Sequence, residues 1–191
     1  RTTPEATELQ PMLGALAAGG GTAATLECSS HALWLERLAG CTFDVAVFLN
    51  LTRDHLDDHG TMEAYFEEKA KLFSMIKPGG RSVVNVDDPW GRKLFARLPR
   101  ESTLSFSRSV EADVTGQVRP GGDGIRRRVE RRATGEAFEI DSPLLGAPNA
   151  ENLLAAATAA LALRLPPAAI AERLGAFSAV PGRLERVPNA A

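Results

Sequence analysis

The sequence is poor in cysteine and has no long apolar run, and these two absences exclude several classes of protein. Cys28 and Cys41 are the only cysteines, which is too few for a disulfide framework, and they lack the spacing of a metal site. No uncharged apolar stretch is long enough to cross a membrane, and the first residues do not form a basic and then apolar targeting segment. We therefore expect a cytoplasmic protein in which both cysteines are core residues.

Neither sign of charge dominates the sequence. Its 22 Lys and Arg residues and 24 Asp and Glu residues give a net charge of −2, which does not favour nucleic acid or an anionic membrane as a partner. The hydrophobic content of 44% is that of an ordinary globular domain, and 191 residues are enough to bury a sizeable core. We expect a monomer that binds neither nucleic acid nor membrane.

Strand-like and helical patterns alternate over the first hundred residues. Apolar residues at helical spacing predict helices over residues 4–18 and 61–75, and short apolar runs predict strands over residues 22–27, 44–50 and 81–87. Strands that alternate with helices in this way favour right-handed βαβ units. The predicted fold class is therefore α/β, with a mainly parallel sheet flanked by helices.

The pattern changes after residue 100. Residues 103–141 hold short alternating runs broken by glycine and proline, which predict a small antiparallel β insert. Five arginines of this segment stand opposite glutamates, so we interpret them as a solvated strand face without function: Arg126, Arg127, Arg128, Arg131 and Arg132. Two further helices are predicted over residues 149–163 and 166–177, and a linker is predicted over residues 180–183.

The segment from Asn50 to Gly60 is the strongest candidate for chemistry. It holds a carbonyl ligand, three carboxylates and two imidazoles directly after a predicted strand, and open α/β sheets bind ligands outside the carboxyl ends of their strands. The pattern alone leaves two interpretations open. Either the segment forms a substrate or metal site, or its aspartates cap the helix near Thr61 and His55 or His59 is a turn histidine.

These residues resemble the central-domain signature of the Mur ligases. The resemblance rests on the segments Asn50 to Asp57 and His59 to Tyr65 and on Lys69; Thr2 to Pro4 and Glu27 to Leu33 resemble the MurE type within that family. The motifs occur in the expected order along nearly the whole chain. The resemblance implies a central ATP-binding domain with a fold like that of P-loop NTPases.

The resemblance also implies a catalytic magnesium site beside the γ-phosphate of ATP, held by Glu27, His55 and Lys69. Mg²⁺ prefers hard oxygen donors, and a bare ammonium would be repelled by the metal. The resemblance implies that Lys69 is carbamylated. A carbamate carries the negative charge and the oxygen ligands that the ammonium lacks. Lys71 points about 200° round the helix from Lys69, so only one of the two faces the site. The alternatives are a helix-capping Glu27 and an exposed lysine paired with a neighbouring glutamate.

Two further sets of residues are assigned to ligands by the resemblance. Hydroxyl, imidazole and guanidinium donors suit a peptide carboxylate and a diphosphate-linked sugar, and those that would hold the UDP-muramoyl dipeptide are Thr2, Thr3, Ser29, Ser30, His31 and Arg37. The residues near the nucleotide would be Asn85, Asp87, Asn149, Asn152 and Arg183. The amides at positions 149 and 152 are three residues apart and so share one face of a helix start. Leu35 stands where some relatives have glutamine, so one polar contact is in doubt.

The implied reaction is an ATP-dependent amide ligation in peptidoglycan synthesis. The γ-phosphate of ATP would pass to the D-glutamate carboxylate of UDP-MurNAc-L-Ala-D-Glu, and a diamino acid, either L-lysine or meso-diaminopimelate, would attack the acyl phosphate. The sequence does not choose between the two amino acids. The alternatives are a folylpolyglutamate synthetase-like ligase, against which Thr2 to Pro4 and Ser29 to Leu33 argue, and a non-catalytic Mur-like binding module.

The phosphate-binding motif G-x-x-x-x-G-K-S/T is absent from the sequence. Gly19 to Gly21 are followed by Thr22 and Ala23, which provide no lysine to reach the β- and γ-phosphates. We therefore expect a central domain that is truncated at both ends and inactive in isolation. It would cover residues 1–182, including the insert, and residues 183–191 would be a linker toward a C-terminal domain.

Overall fold

The computed structural model describes residues 2–53, 59–119, 124–178 and 184. His55 and Arg183 lie outside these residues, as do the three aspartates of the Asn50 to Gly60 segment. Their predicted roles in the metal and nucleotide sites therefore stay predictions. The described residues form two compact units.

The first unit is built from helices and takes its residues from Arg1–Phe43 and Thr52–Pro78. Its helices are α1 (Ala6–Ala18), α2 (Ser30–Trp34) and α3 (Met62–Ser74). Apolar side chains from all three helices meet in one core: Leu9, Leu33 and Leu38 are buried, and Leu13, Cys28, Cys41, Leu72 and Met75 pack against them. Both cysteines are free and partly buried at this core, close to the predicted position.

Hydroxyl side chains set the start of two of these helices. Thr61 Oγ1 accepts a hydrogen bond from the Ala64 amide at 3.1 Å, and Ser29 Oγ accepts one from the Ala32 amide at 3.2 Å. Each bond satisfies an amide that the first helical turn leaves free. The predicted helix over residues 61–75 is confirmed, and Ser29 is the N-cap of α2.

The predicted strand over residues 22–27 is wrong. Residues 21–29 carry no regular secondary structure, and Thr22 to Thr25 are exposed. A strand requires a neighbouring strand for its backbone hydrogen bonds, and the described part of the chain provides none here. The apolar pattern of this segment therefore indicated its extended form but not its pairing.

Six described strands form one sheet. They are β1 (Phe43–Phe48), β2 (Ile76–Asn85), β3 (Thr103–Ser107), β4 (Val114–Arg119), β5 (Ile125–Arg131) and β6 (Glu136–Ser142), and they lie in the order β1-β2-β3-β4-β5-β6. The pairs β2–β3 and β3–β4 are parallel, whereas β4–β5 and β5–β6 are antiparallel. The predicted α/β class, with a parallel sheet and an antiparallel part, is confirmed.

The antiparallel part begins later than predicted. Residues 103–107 were assigned to the antiparallel insert, but β3 pairs parallel with both of its neighbours. The alternation of apolar and polar residues specifies a strand and its faces without specifying the direction of its partner, which explains the error. The antiparallel prediction is correct for β4, β5 and β6.

The second unit takes its residues from Asp44–Leu51 and Gly79–Ala191. Its helices are α4 (Pro89–Phe95), α5 (Gly146–Ala162) and α6 (Pro167–Ala176); the last two lie within three residues of their predicted bounds. Helix α5 packs on the sheet through Leu153, Leu154 and Leu161, which share a core with Val83, Phe106, Val114 and Val129. Among the described residues, no helix has the length and apolar character needed to cross a membrane.

The prediction of a solvated arginine face on β5 is wrong for Arg127. Arg126 and Arg132 are exposed as predicted, but Arg127 is 0% exposed and lies between buried Ile125 and Val129. Alternate residues of a strand face the same side, so Arg127 occupies a core position. The glutamates of the segment suggested a surface, but Glu130 lies on the other face of β5, and Glu136 and Glu139 lie on β6 opposite Arg131 and Arg128.

Candidate functional site

The segment that leads into α2 is fastened by the hydroxyl of Thr3. Thr3 is buried, and its Oγ1 donates to the Glu27 carbonyl at 2.7 Å while it accepts from the Ser29 amide at 3.1 Å. The Ser29 hydroxyl is itself the cap of α2. The structure therefore brings predicted residues Thr3, Glu27 and Ser29 together, and it uses both hydroxyls to hold the backbone.

Arg37 contacts the same N-terminal segment as Thr3. Its Nη2 lies 2.9 Å from Glu5 Oε1, and its Nη1 donates to the Thr3 carbonyl at 3.3 Å. Its Nε is buried without a hydrogen-bond partner among the described residues. Both terminal nitrogens of this guanidinium are thus already bonded within the protein.

Ser30 faces the protein rather than solvent. It is 2% exposed, and its Oγ lies 3.0 Å from His59 Nε2. The His59 ring stacks on Tyr65 with centroids 5.0 Å apart and planes at 13°, and it lies 5.7 Å from the His31 ring. His59 thus joins α2 to α3 and acts as a structural histidine, one of the two interpretations that the sequence left open.

Two groups of the first unit, Lys69 and Cys28, have shifted pKa values. Burial lowers the pKa of Lys69, although the nearby charge of Glu27 opposes the shift. Burial also raises the pKa of Cys28 to about 11, against the effect of Lys69. The Lys69 Nζ lies 5.7 Å from the centroid of the Tyr65 ring. A half-buried lysine with a lowered pKa beside an exposed carboxylate is a common feature of functional sites.

The predicted helical register of α3 is correct. Lys71 lies on the exposed side of the helix and pairs with Glu68 at 2.7 Å, whereas Lys69 lies near Glu27. The alternative of an exposed lysine paired with a glutamate therefore describes Lys71 and not Lys69. The carbamylation of Lys69 stays a prediction.

The chemistry of the donors present is compatible with a magnesium ion. Glu27 offers an exposed carboxylate, and Lys69 would offer hard oxygens once carbamylated. The described residues contain no group of three or more His, Cys, Asp or Glu side chains that could hold a metal by themselves. The third predicted ligand, His55, lies outside them.

In the second unit, the predicted nucleotide residues Asn85 and Asp87 belong to a polar network at the end of β2. Asn85 Nδ2 donates to Glu151 Oε1 at 3.0 Å, and Asn85 Oδ1 accepts from the Asp87 amide at 2.9 Å. Asp87 in turn accepts from the Ser107 hydroxyl at 2.6 Å and from the Arg108 amide at 2.7 Å. The network therefore links the ends of β2 and β3 to α5.

Sequence reasoning missed three members of this network, which are Ser107, Arg108 and Glu151. Arg108 Nη2 forms an ion pair with Glu151 Oε2 at 3.2 Å. Glu151 therefore binds both the Asn85 side-chain amide and the Arg108 guanidinium. The signal available in the sequence was the position of Glu151 between the two predicted asparagines. Of these, Asn149 is buried and donates to the Leu145 carbonyl at 2.8 Å, whereas Asn152 is exposed.

The chain matches known proteins along most of its length. Residues 1–160 match the family model "Mur ligase middle domain". The chain is 46% identical, over 97% of its length and 37% of the relative's, to the UDP-N-acetylmuramoyl-L-alanyl-D-glutamate--2,6-diaminopimelate ligase of Gloeobacter violaceus. It is 44% identical, with the same coverage, to the ligase of that name in Synechococcus elongatus.

Solved structures agree with these matches. A structure of UDP-N-acetylmuramoyl-L-alanyl-D-glutamate--2,6-diaminopimelate ligase superposes with a TM-score of 0.84 at 36% identity, over 95% of this chain and 38% of that one. MurF from Acinetobacter baumannii, at 22% identity and a TM-score of 0.67 over 77% of this chain and 32% of its own, shares the fold. The chain therefore belongs to the Mur ligase family, and it carries the middle domain. It spans somewhat more than a third of the length of the relatives that it matches.

Proposed function

We propose that this chain is part of an ATP-dependent ligase that adds meso-diaminopimelate to UDP-MurNAc-L-Ala-D-Glu. The observation that carries the proposal is the half-buried Lys69, whose pKa is lowered by burial and is influenced by the charge of Glu27. Both residues belong to the unit that also contains Thr3, Ser29 and Arg37. Relatives named for the diaminopimelate reaction are 41–46% identical to the chain, which favours this amino acid over L-lysine. We propose that residues 1–182 are part of the central domain and that residues 183–191 are a linker.

The reaction requires no protein nucleophile. An oxygen of the D-glutamate carboxylate attacks the γ-phosphorus of ATP, the bond to the β-phosphate oxygen breaks, and ADP leaves. The amine of the diamino acid then attacks the acyl carbon, loses a proton and expels phosphate, which leaves an amide. Positioning of the two reactants and compensation of charge are the main contributions left to the protein.

Glu27, His55 and Lys69 are proposed to hold magnesium. When bound, Mg²⁺ supplies positive charge that neutralises the developing charge on the phosphate oxygens. The lowered pKa of Lys69 favours the neutral amine, whose lone pair can form a C–N bond to carbon dioxide while one C=O π bond opens and the nitrogen releases a proton. The resulting carbamate suits the metal as the ammonium does not.

The sequence predicts that all of the candidate binding residues contact ligands, and we propose to divide them by the hydrogen bonds that their side chains already make. Thr2, His31 and Arg37 would contact the UDP-muramoyl dipeptide, whereas Thr3, Ser29 and Ser30 would shape the segment that carries these contacts, because their hydroxyls already have partners. The nucleotide would lie near Asn152 and Arg183, with Asn85, Asp87 and Asn149 holding the backbone around it. A monomer in the cytoplasm stays a prediction.

A ligation assay tests the proposal. It uses this chain extended to the length of its relatives. With ATP, Mg²⁺ and UDP-MurNAc-L-Ala-D-Glu, we expect phosphate release that depends on meso-diaminopimelate and is far slower with L-lysine. Glutamate addition to a folate would instead support the folylpolyglutamate synthetase alternative, whose solved structures are 25% identical to this chain with a TM-score of 0.62. Binding of nucleotide without any ligation would support the binding module.

A further inference from the structure

Arg127 is the largest wholly buried side chain of the described residues, and the proposed reaction does not use it. Its Nη1 donates to the Gly116 carbonyl at 3.0 Å. Its Nε and Nη2 are buried and have no hydrogen-bond partner within the described ranges. A buried guanidinium is costly to desolvate unless nearby charges compensate it, so the compensating groups must be identified.

Two carboxylates supply this compensation. Burial lowers the pKa of Arg127 to about 10, and Arg108 acts in the same direction, but Glu151 and Asp87 oppose the shift. Glu151 and Asp87 are the two acids of the polar network at the end of β2. Glu151 accepts a hydrogen bond from the Asn85 amide, and Asp87 accepts one from the Ser107 hydroxyl. Arg127 forms no hydrogen bond with either carboxylate among the described residues, so its coupling to the network acts through charge.

The strand beside Arg127 leaves room for its side chain. A Cβ atom at Gly116 on β4 would collide with Arg127 Nη1 and would also press on Leu154 of α5. Gly116 therefore lets the guanidinium lie between the sheet and α5. Glu151 and Leu154 are three residues apart on α5 and so share one face of the helix, which places the guanidinium near the face that carries the acid that binds Asn85.

We propose that Arg127 is a positioning residue for the nucleotide site. Its positive charge lies near the face of α5 that carries Glu151 and stabilises the Glu151 and Asp87 carboxylates, which bind Asn85, Ser107 and the Arg108 amide. This inference rests on the proposed function, because Asn85 and Asp87 are assigned to the nucleotide there. It also gives the antiparallel strand β5 a part in nucleotide binding that sequence reasoning did not assign.

A double-mutant cycle on the present chain tests the electrostatic coupling. The variants are Arg127→Met, Glu151→Gln and the double variant, and Arg126→Met is the matched control because Arg126 is exposed and pairs with Asp141 at 2.8 Å. We expect Arg127→Met to lower the urea midpoint and Arg126→Met to leave it almost unchanged. Adding Glu151→Gln to Arg127→Met should restore part of the loss, because it removes the uncompensated carboxylate. Additive losses in the double variant would overturn the coupling.

Arg127→Lys provides a variant that keeps the charge but not the planar group, in case the methionine variant does not fold. In the chain extended to the length of its relatives, we expect Arg127→Lys to raise the KM for ATP by roughly tenfold, equivalent to about 1.4 kcal/mol, with little change in the KM for UDP-MurNAc-L-Ala-D-Glu. A merely structural role would change the melting temperature and leave the KM for ATP unaltered, which would overturn the proposal. Absence of ligation by the unsubstituted extended chain would contradict the proposed function instead, and the stability cycle would then decide the coupling by itself.

Discussion

At the scale of single residues, burial divides the candidate side chains into two groups. Thr3 and Ser30 are buried and already hydrogen-bonded, Thr3 to the backbone of Glu27 and Ser29, and Ser30 to the His59 ring. Glu27 is exposed, and Lys69 is half-buried beside it. The chemistry proposed for the first unit therefore depends most on these last two residues.

The first prediction separates Lys69 from Lys71 in the extended chain. Lys69→Ala should lower kcat by roughly 100-fold or more, because it removes a ligand of the magnesium ion that would neutralise the phosphate charge in the transition state, whereas Lys71→Ala should be nearly neutral. Bicarbonate should not restore the Lys69→Ala variant, but a short-chain carboxylic acid should do so in part by supplying the missing oxygens. Steady-state phosphate release measures both effects.

Lys71 is the matched control because it is two positions away on the same helix and pairs with Glu68. Equal losses in the two variants would contradict a specific role for Lys69. A full rescue of Lys69→Ala by bicarbonate alone would contradict the carbamate, since alanine has no amine to carry it.

At the scale of elements, Asp113 fastens the start of β4 to β3. Its Oδ2 accepts from the Ser105 amide at 2.8 Å and from the Ser105 hydroxyl at 2.7 Å, and its Oδ1 pairs with Arg100. Burial alone would raise the pKa of Asp113, but these hydrogen bonds and the guanidinium outweigh it and lower the pKa below the usual 3.8. The parallel pairing that sequence analysis missed is thus reinforced by an ionised side chain.

The second prediction is that Asp113→Asn destabilises the chain at neutral pH by about 1 kcal/mol, at the low end for a charged hydrogen bond because the carboxylate is partly exposed. Since the folded-state pKa is lowered, the stabilisation is present above pH 3.8 and is lost as the pH falls through the folded-state value. Urea unfolding should therefore show that the free energies of unfolding of the unsubstituted chain and of Asp113→Asn become equal as the pH falls from neutral to acid. Asp141→Asn is the control, because Asp141 is an exposed residue of β6. A difference in the free energy of unfolding that persists in acid would contradict the role of ionisation.

At the scale of the whole molecule, the chain spans somewhat more than a third of the length of its relatives, and it has no G-x-x-x-x-G-K-S/T segment. The third prediction is that the 191-residue chain alone binds Mg-ATP weakly and does not ligate, because the backbone amides and lysine that hold the phosphates are missing. Calorimetric titration and phosphate release measure the two properties. Turnover at a rate typical of ligases would contradict the part assigned to that missing segment.

Prediction from sequence succeeded where local chemistry decides structure. The bounds of α3 follow from the Thr61 cap and the helical spacing of Tyr65, Phe66 and Phe73, and that same spacing placed Lys69 rather than Lys71 toward Glu27. The motif residues also identified the Mur ligase family. These features depend on neighbours within about one helical turn or on short segments, both of which can be recognised in a linear sequence.

The sequence by itself therefore determined helices α1, α3, α5 and α6 and the family, and it nominated the candidate residues. Tertiary structure alone decided that residues 22–27 form no strand, that β3 pairs in parallel, and that Arg127 is buried in contact with Gly116. The physical reason is that pairing and burial depend on groups far apart in sequence. A backbone amide needs a partner strand, and a guanidinium can enter a core only where distant carboxylates such as Glu151 and Asp87 compensate its charge.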